Sequence, residues 1–493
     1  MLNQKLDTFF DKMDAQALML TFDDVRMHTD ESAVLPPDIN LHSRFSRRIP
    51  LKIPAISSAM STVTEWRMGV AMATNGGLGV IHKNMDPIKQ AKMVKRVKLY
   101  LNGRVDAPRT VTPNMTLADV ETMRSEKRFD FRTFPVVDDE GVVVGMLTGS
   151  DFRFASDLTV TVADAMTAFK NGINLLAGSK NTTPEQALDK MRKAKKNVMP
   201  LLEDGKIVGM YVFSDLKRIS SGESLHNVDP NGQLFAAAAV GAGDAAMIRA
   251  ELLAAAGCDV FHIDTAHGDS QNVFDTIRRL KTAYPTIDVV AGNVSRGEST
   301  LRLIAAGADG IFVGQGPGSI CTTRIVAGVG CPQVSAVYNC AKAAKGSGVP
   351  ICADGGIKMP GECAIAIAVG GNSFMMGGVL AATDASPGQI IQVGDKQMKA
   401  YYGMGSLRAM NEREESRQRY GYVNQNSVVP EGVEGTVPYK GPLADVLHQF
   451  LGGVRAGAAY VGASTLSELR ERAELFRVTN AGMAESHPHD IHQ

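Results

Sequence analysis

The chain has 493 residues, which at roughly 150 residues per domain allows two to four domains and a core that needs no disulfide or metal staple. Lys+Arg and Asp+Glu number 52 each, so the basic surplus of a general nucleic-acid binder is missing; 44% apolar residues argue against disorder. Glycine is enriched at 49 residues without a collagen period, aromatics are only 6%, no apolar run is long enough to span a membrane, and neither terminus carries a targeting signal, so a cytoplasmic protein is expected.

In chain order, the first elements are two short apolar runs that end in small or polar residues, IPAISSAM (53–60) and GLGVIH (77–82). An unrelated pattern follows over 98–222. It contains a repeat, because FPVVDDEGVVVGMLTGSD (134–151) matches MPLLEDGKIVGMYVFSD (199–215) and a helix-like segment precedes each copy. Two copies of one α/β unit predict an inserted tandem module, with halves at about 98–160 and 161–222. SSGESLHNVDPNGQ (220–233) reads as the linker back.

Six further runs then appear: AAAAVGAG (236–243), VFHIDTAHG (260–268), VVAGNV (289–294), GIFVGQGPGS (310–319), VPICADGG (349–356) and SFMMGG (373–378). Near-continuous apolar runs suit strands buried on both faces, and helical stretches such as VFDTIRRLKTAY (273–284) separate most of them. Eight such strands alternating with helices predict a (β/α)8 barrel formed by 1–97 and 223–493. Their polar C-terminal ends would form the active-site face. Gly241–Ala246 also reads G-x-G-x-x-A, with Asp264 about 20 residues on, as in a dinucleotide-binding turn. No second mononucleotide half follows, and the eight runs fit a barrel better.

The densest chemical signal is GQGPGSICTTR (314–324). Its glycines let successive amides and carbonyls point one way, to hold an anion or a monovalent cation, and Cys321 follows at the mouth of the sixth run as a candidate nucleophile. All six cysteines lie between Cys258 and Cys363 without a C-x-x-C pair, so zinc is not expected and thiols are. Gly355-Gly356 and Gly377-Gly378 sit where barrels hold phosphate with backbone N–H groups. Asp354 and Asp264, at the ends of the seventh and fourth runs, suit ribose hydroxyls. The polar stretch 403–432, without periodicity, reads as a long functional loop.

These residues resemble the IMP dehydrogenase / GMP reductase family. GPGSICTTRIVAGVGCPQ is similar to its active-site signature, and LTFDDV (20–25), SSAMSTVTE (57–65), GGLGVIHKNM (76–85), DTAHG (264–268), AGNV (291–294), ADGGI (353–357), YGMGSLRAM (402–410), RY (419–420), PEGVEGTVPYKGPLADVLHQ (430–449) and ESHPHD (485–490) match in order over nearly the whole chain. The resemblance implies a TIM barrel with an inserted pair of cystathionine-β-synthase-type (CBS, or Bateman) modules. That pair would bind adenine or guanine nucleotides near Thr148, Asp151, Ser214 and Asp215.

The resemblance also implies that Cys321 attacks IMP, that NAD accepts hydride, that 403–432 closes as a flap, and that water releases XMP. Arg419 and Tyr420, with Thr323 and Glu431 as a second proton route, would activate that water. Ser58, Met60, Asp354, Tyr401, Met404, Gly405 and Glu431 would contact the nucleotide, and Ser319, Gly356, Gly377 and Gly378 its phosphate. Asp264, Thr265, Asn293, Gly314 and Gly316 would line the NAD side. Carbonyls of Gly316, Gly318 and Cys321 would ligate K+, in a homotetramer or octamer.

GMP reductase, which consumes NADPH, is the rival reading, because Gly378 and Gln315 depart from the dehydrogenase pattern. A nucleotide-sensing paralogue without activity is a third, against which the intact Cys321, Arg419 and Tyr420 stand.

Overall fold

The computed structural model describes residues 4–488 apart from 102, 106–107, 128–130, 156, 170–175, 221–224 and 423–427. The chain divides into two compact units, Met1–Lys98 with Leu225–Gln493, and Leu99–Ser224. The unit boundaries lie within two residues of the ends expected for the insert, and 221–224 of the expected linker lie outside the described residues.

The larger unit holds the expected barrel. Its strands are β1 (Ala55–Ser57), β2 (Leu78–Ile81), β3 (Ala237–Val240), β4 (Val260–Asp264), β5 (Asp288–Val294), β6 (Gly310–Val313), β7 (Ile351–Asp354) and β8 (Ser373–Met376). All neighbours are parallel, and β8 closes onto β1 through Phe374↔Ala55 and Met375↔Ile56. The interior is filled by Ile56, Leu78, Val80, Ala237, Ala239, Val260, Val290, Phe312, Cys352 and Met375, with Phe45, Ile49, Leu51 and Phe235 in the same cluster. Burial on both faces is why each strand reads as an unbroken apolar run. The outer helices show one-sided stripes instead: Gln271–Ala283 buries Val273, Ile277 and Leu280.

Two features of this unit differ from the sequence reading. The stretch expected as a structureless loop contains two short helices, Leu407–Glu412 and Glu414–Arg419. Ser406 caps the first by accepting from the Ala409 amide at 3.2 Å. Six-residue helices are too short to print a 3.6-residue period. A three-stranded antiparallel sheet, Ile390–Val393, Lys396–Tyr402 and Glu434–Pro438, was also not foreseen. Its outer strand is exposed on both faces, so no apolar alternation marks it.

In the smaller unit the repeat forms two sheets. One joins Phe134–Val137, Val143–Leu147 and Thr167–Ala168; the other joins Gly178–Ser179, Val198–Glu203, Lys206–Val212 and Arg104–Val105. Each copy has its own core, around Val111, Leu117, Phe134 and Leu147 in the first and Leu188, Met191, Leu201 and Tyr211 in the second. The expected cut at 160/161 is corrected here. Arg104–Val105 pairs with the second copy's Lys206–Val212, and Thr167–Ala168 with the first copy's Val143–Leu147. Two-residue edge strands carry too little pattern to assign from sequence.

Candidate active site

A cavity of about 490 Å³ opens at the C-terminal ends of the barrel strands. Ser58, Met60, Asp264, Asn293, Gly314, Gly316, Gly318, Cys321, Thr323, Asp354, Gly377, Tyr401, Met404, Gly405, Arg419, Tyr420 and Glu431 all line it. The structure therefore brings most of the sequence-predicted residues together from positions hundreds of residues apart.

On one wall, Asn293 Nδ2 donates to Asp354 Oδ2 at 2.7 Å. Burial pushes the Asp354 carboxyl up to about 6, and the Asn293 bond acts against that shift. Gln333 fixes the strand end beneath by donating to the carbonyls of Val313 at 2.7 Å and Asp354 at 3.0 Å. Oδ1 of Asn293 and Oδ2 of Asp264 are buried and make no hydrogen bond with the described residues. Unpartnered buried acceptors of this kind are where a ligand's donors fit.

The glycines at the end of β8 are required by space. A Cβ on Gly377 would stand 2.7 Å from Tyr401 Oη and 3.3 Å from Met60 Sδ; one on Gly378 would stand 3.2 Å from the Tyr401 ring and 3.6 Å from Ser319 Oγ. Gly356 adopts φ +82° and packs on Pro317 and Phe22. Ser319, Gly356 and Gly378 thus lie just outside the cavity lining. Burial pushes the Tyr401 hydroxyl well up, against a hydrogen bond with Ser319, so it stays a neutral donor.

Cys321 Sγ lies 3.2 Å from Thr323 Oγ1. The cysteine loop is laced to the return of the long loop, where Thr322 N donates to Glu431 O at 3.0 Å and Val433 N to Ile320 O at 2.9 Å; Glu431 N donates to Gly405 O at 3.0 Å and so joins the two ends of the long loop. Glu431 and Thr323 therefore stand on adjoining backbone segments, Thr323 at the start of the helix Thr323–Val326. Tyr420 packs onto Gly405, where a Cβ would come within 2.7 Å of its ring. Burial raises the Tyr420 phenol above its ordinary value, and the Arg419 charge works against that rise. Arg419 forms an ion pair with Asp264, both side chains largely buried. Residues 423–427 of the 403–432 stretch lie outside the described residues.

The structure does not bring Thr265 to the cavity. Its hydroxyl donates to Gly292 O at 2.8 Å instead, because the residue after a strand end turns toward the neighbouring strand. In the smaller unit, the Thr148 amide and hydroxyl both donate to Asp151 Oδ2, at 2.6 and 2.9 Å, closing the first turn of Gly149–Phe154. Ser214 Oγ lies 3.4 Å from Asp215 Oδ1.

Three site residues escaped the sequence reading. His262 lies within β4 and lines the cavity; burial, then Arg419 and Lys83, push it down to about 3, so it is neutral. Lys83, 5% exposed, donates to Asp264 O at 2.8 Å, and burial holds its amine well below the usual range. His267 pairs with Gln315 at 3.2 Å, and Gln315 accepts from Ser295 at 2.6 Å. The sequence marked Gln315 as a departure but gave it no place.

The family model described as IMP dehydrogenase / GMP reductase domain matches residues 19–489. The chain belongs to this family. An inosine-5′-monophosphate dehydrogenase of Halalkalibacterium halodurans is 43% identical, over 96% of each chain. One from Staphylococcus aureus is 44% identical over the same shares. Among solved structures, a GMP reductase of Trypanosoma brucei in complex with guanosine 5′-monophosphate superposes with a TM-score of 0.88 at 34% identity. That match covers 97% of this chain and all of the other. Both branches of the family are thus represented among its relatives, and the residues around Cys321 must discriminate between them. All six cysteines of this family member are unpaired. Burial pushes Cys258 and Cys340 up to about 12, which leaves them inert, whereas Cys321 faces the cavity.

Proposed function

We propose that this chain is an IMP dehydrogenase: IMP, NAD and water give XMP, NADH and a proton. Cys321 Sγ would bond to C2 of the purine and lose its proton; the C2–H bond then breaks with its electron pair. Bound NAD supplies the acceptor for that hydride. Water adds to C2 of the resulting thioimidate and the C2–S bond breaks, returning the thiol. Covalent attachment divides one difficult displacement into two easier steps.

The observation that carries this reading is the placement of Arg419 and Tyr420 on the cavity that Cys321 lines, with Arg419 paired to Asp264. Only a reaction with a hydrolytic half needs water-handling groups there. Arg419, opposite a carboxylate and beside a buried phenol, would orient and polarise water. Thr323 and Glu431, held on adjoining backbone segments, offer a proton route that does not require a guanidinium to act as base. Arg419 and the cofactor would use Asp264 in turn, the flap entering as NADH leaves. The unpartnered Asp264 and Asn293 oxygens fit the donors of NAD. A ribose would be held by Asp354, and its phosphate by backbone amides around Ser319, Gly356, Gly377 and Gly378.

Potassium fits the neutral carbonyl oxygens of Gly316, Gly318 and Cys321 in the cysteine loop, where Gly316 at φ +79° turns the backbone. A neighbouring subunit would complete its shell. A homotetramer, or octamer, is supported by exposed apolar side chains: Ile325, Val326 and Val329 beyond the cysteine loop, and Ile390, Ile391 and Val393 on the outer sheet strand. The Leu99–Ser224 unit would be a CBS pair that binds adenine or guanine nucleotides, with Thr148–Asp151 and Ser214–Asp215 at the ribose. No helix among the described residues is long and apolar enough to cross a membrane, and the unpaired thiols fit a cytoplasmic setting.

A GMP reductase is the second reading, favoured by Gly378 and by the structural likeness to the Trypanosoma brucei enzyme. The test is direct. Purified protein with K+ is given IMP and NAD, or GMP and NADPH. NADH formation from IMP supports the dehydrogenase; NADPH consumption with GMP and no reaction with IMP overturns it.

A further inference from the structure

Arg249 lies on the helix Asp244–Ala255 that follows β3, and only 5% of it is exposed. Its guanidinium makes three hydrogen bonds: to Gln90 Oε1 at 2.8 Å, to the Met85 carbonyl at 3.1 Å and to Glu415 Oε1 at 3.0 Å. Gln90 is fully buried and is itself pinned, donating to the Ile81 carbonyl at 3.0 Å and the Ala239 carbonyl at 2.9 Å. Arg249 is therefore a rigid extension of the ends of β2 and β3. Glu415, by contrast, belongs to the flap helix Glu414–Arg419.

Glu415 and Arg419 are four residues apart, on one face of that single turn. Glu415 seats on Arg249, and Arg419 seats on Asp264 at the end of β4. Two ion pairs of opposite sense thus fasten one helical turn to the barrel. Between them stands the buried Lys83, whose amine is disfavoured as a cation by burial, then by Arg419 and Arg249, and favoured by Glu415. His82 and Asp86 also face Arg249, and Glu65 faces His82. If the flap leaves, the buried Arg249 charge loses its nearest carboxylate, and an uncompensated buried charge is costly. Docking of Arg419 and satisfaction of Arg249 are therefore coupled.

We infer that the Arg249–Glu415 pair is a positioning pair for the hydrolytic step: it sets how much of the time the Arg419 helix, rather than the cofactor, holds the Asp264 side of the cavity. This rests on the dehydrogenase reading for its kinetic consequences, but not for the docking itself. Neither residue touches the reacting atoms; each acts through Arg419.

The test is Glu415→Gln, which keeps the shape of a partly exposed side chain, with Glu414→Gln as the control because Glu414 is exposed and accepts from Gln418 of its own helix. Three readouts decide it. Hydrogen exchange of the 407–422 segment in the protein without nucleotides should rise about tenfold in Glu415→Gln and stay unchanged in Glu414→Gln, a shift in docking equilibrium of one decade. In pre-steady-state runs with IMP and NAD, the NADH burst should keep its rate while the following steady rate falls about tenfold. Inhibition by excess NAD should appear at lower NAD concentration, because the undocked flap no longer competes with it. Unchanged exchange in Glu415→Gln, or equal slowing of burst and steady phases, overturns the inference. A wild-type protein that makes no NADH from IMP sinks the dehydrogenase reading alone, and the exchange measurement still decides the anchor.

Discussion

Asn293 on β5 donates to Asp354 on β7 at 2.7 Å, across the width of β6. The bond restrains a carboxyl that burial pushes up to about 6 from its ordinary 3.8. Because the folded value lies above the unfolded one, the folded protein holds this proton more tightly. Stability without ligand therefore falls as pH rises from about 4 through about 6. The nucleotide has the opposite preference, since ribose hydroxyls donate and need the ionised acceptor. The expected profile of kcat/KM for the nucleotide has an acid limb with a midpoint near 6. Asp354→Asn should abolish that limb and raise KM about tenfold or more; a variant that keeps the limb assigns it to another group.

Arg419→Ala separates the two halves of the reaction. The side chain pairs with Asp264 and in the proposed mechanism handles water, not hydride, so hydride transfer should keep its rate. Hydrolysis should slow by about 10²–10⁴-fold, the range for loss of one proton-transfer or charge-stabilising group. The measurement is the ratio of burst to steady-state NADH formation, with trapping of protein-bound nucleotide on acid quench. Equal loss in both phases would mean that Arg419 serves binding and not water.

Much of this site was legible because of what a barrel does to sequence. Strands buried on both faces leave unbroken apolar runs, and function gathers at the ends of those runs, so Asp264, Asn293, Asp354 and Cys321 announced their positions. His262 did not, because a histidine inside an apolar run reads as one more core residue until the cavity floor is seen. Lys83 looked like an ordinary charge after a strand. The Arg249–Glu415 pair joins residues 166 apart in the chain, and nothing local marks either. The sheet that delivers Tyr401 was missed for a different reason: its outer strand faces solvent on both sides and carries no alternation to read.

Cys321→Ala tests the nucleophile against the five other thiols. The methyl group leaves the loop's backbone clamp to Glu431 and Val433 intact, because those bonds run through main-chain atoms. Turnover should fall by at least about 10⁴-fold, while nucleotide affinity measured by calorimetry changes by less than about tenfold. Loss of binding together with turnover would point to a collapsed loop, and thiol-specific labelling of the wild type should then show which cysteine reacts with substrate protection.

Gly377→Ala probes the proposed phosphate side without changing a charged residue. Gly377 has φ −103°, an ordinary value for alanine, so the backbone is not strained by the change. The new methyl group would instead stand 2.7 Å from Tyr401 Oη and 3.3 Å from Met60 Sδ, and overpacking of this size costs roughly 1–3 kcal/mol. Tyr401 relieves it by shifting its ring, which loosens the hydrogen bonds of its hydroxyl with Ser319 and with the Gly378 backbone at the cavity edge. The cost should therefore fall on the site more than on the fold. KM for the nucleotide is expected to rise about tenfold or more, while the thermal midpoint moves by no more than a few degrees. A large fall in the midpoint with KM unchanged would place the strain in the barrel core and remove Gly377 from the phosphate site.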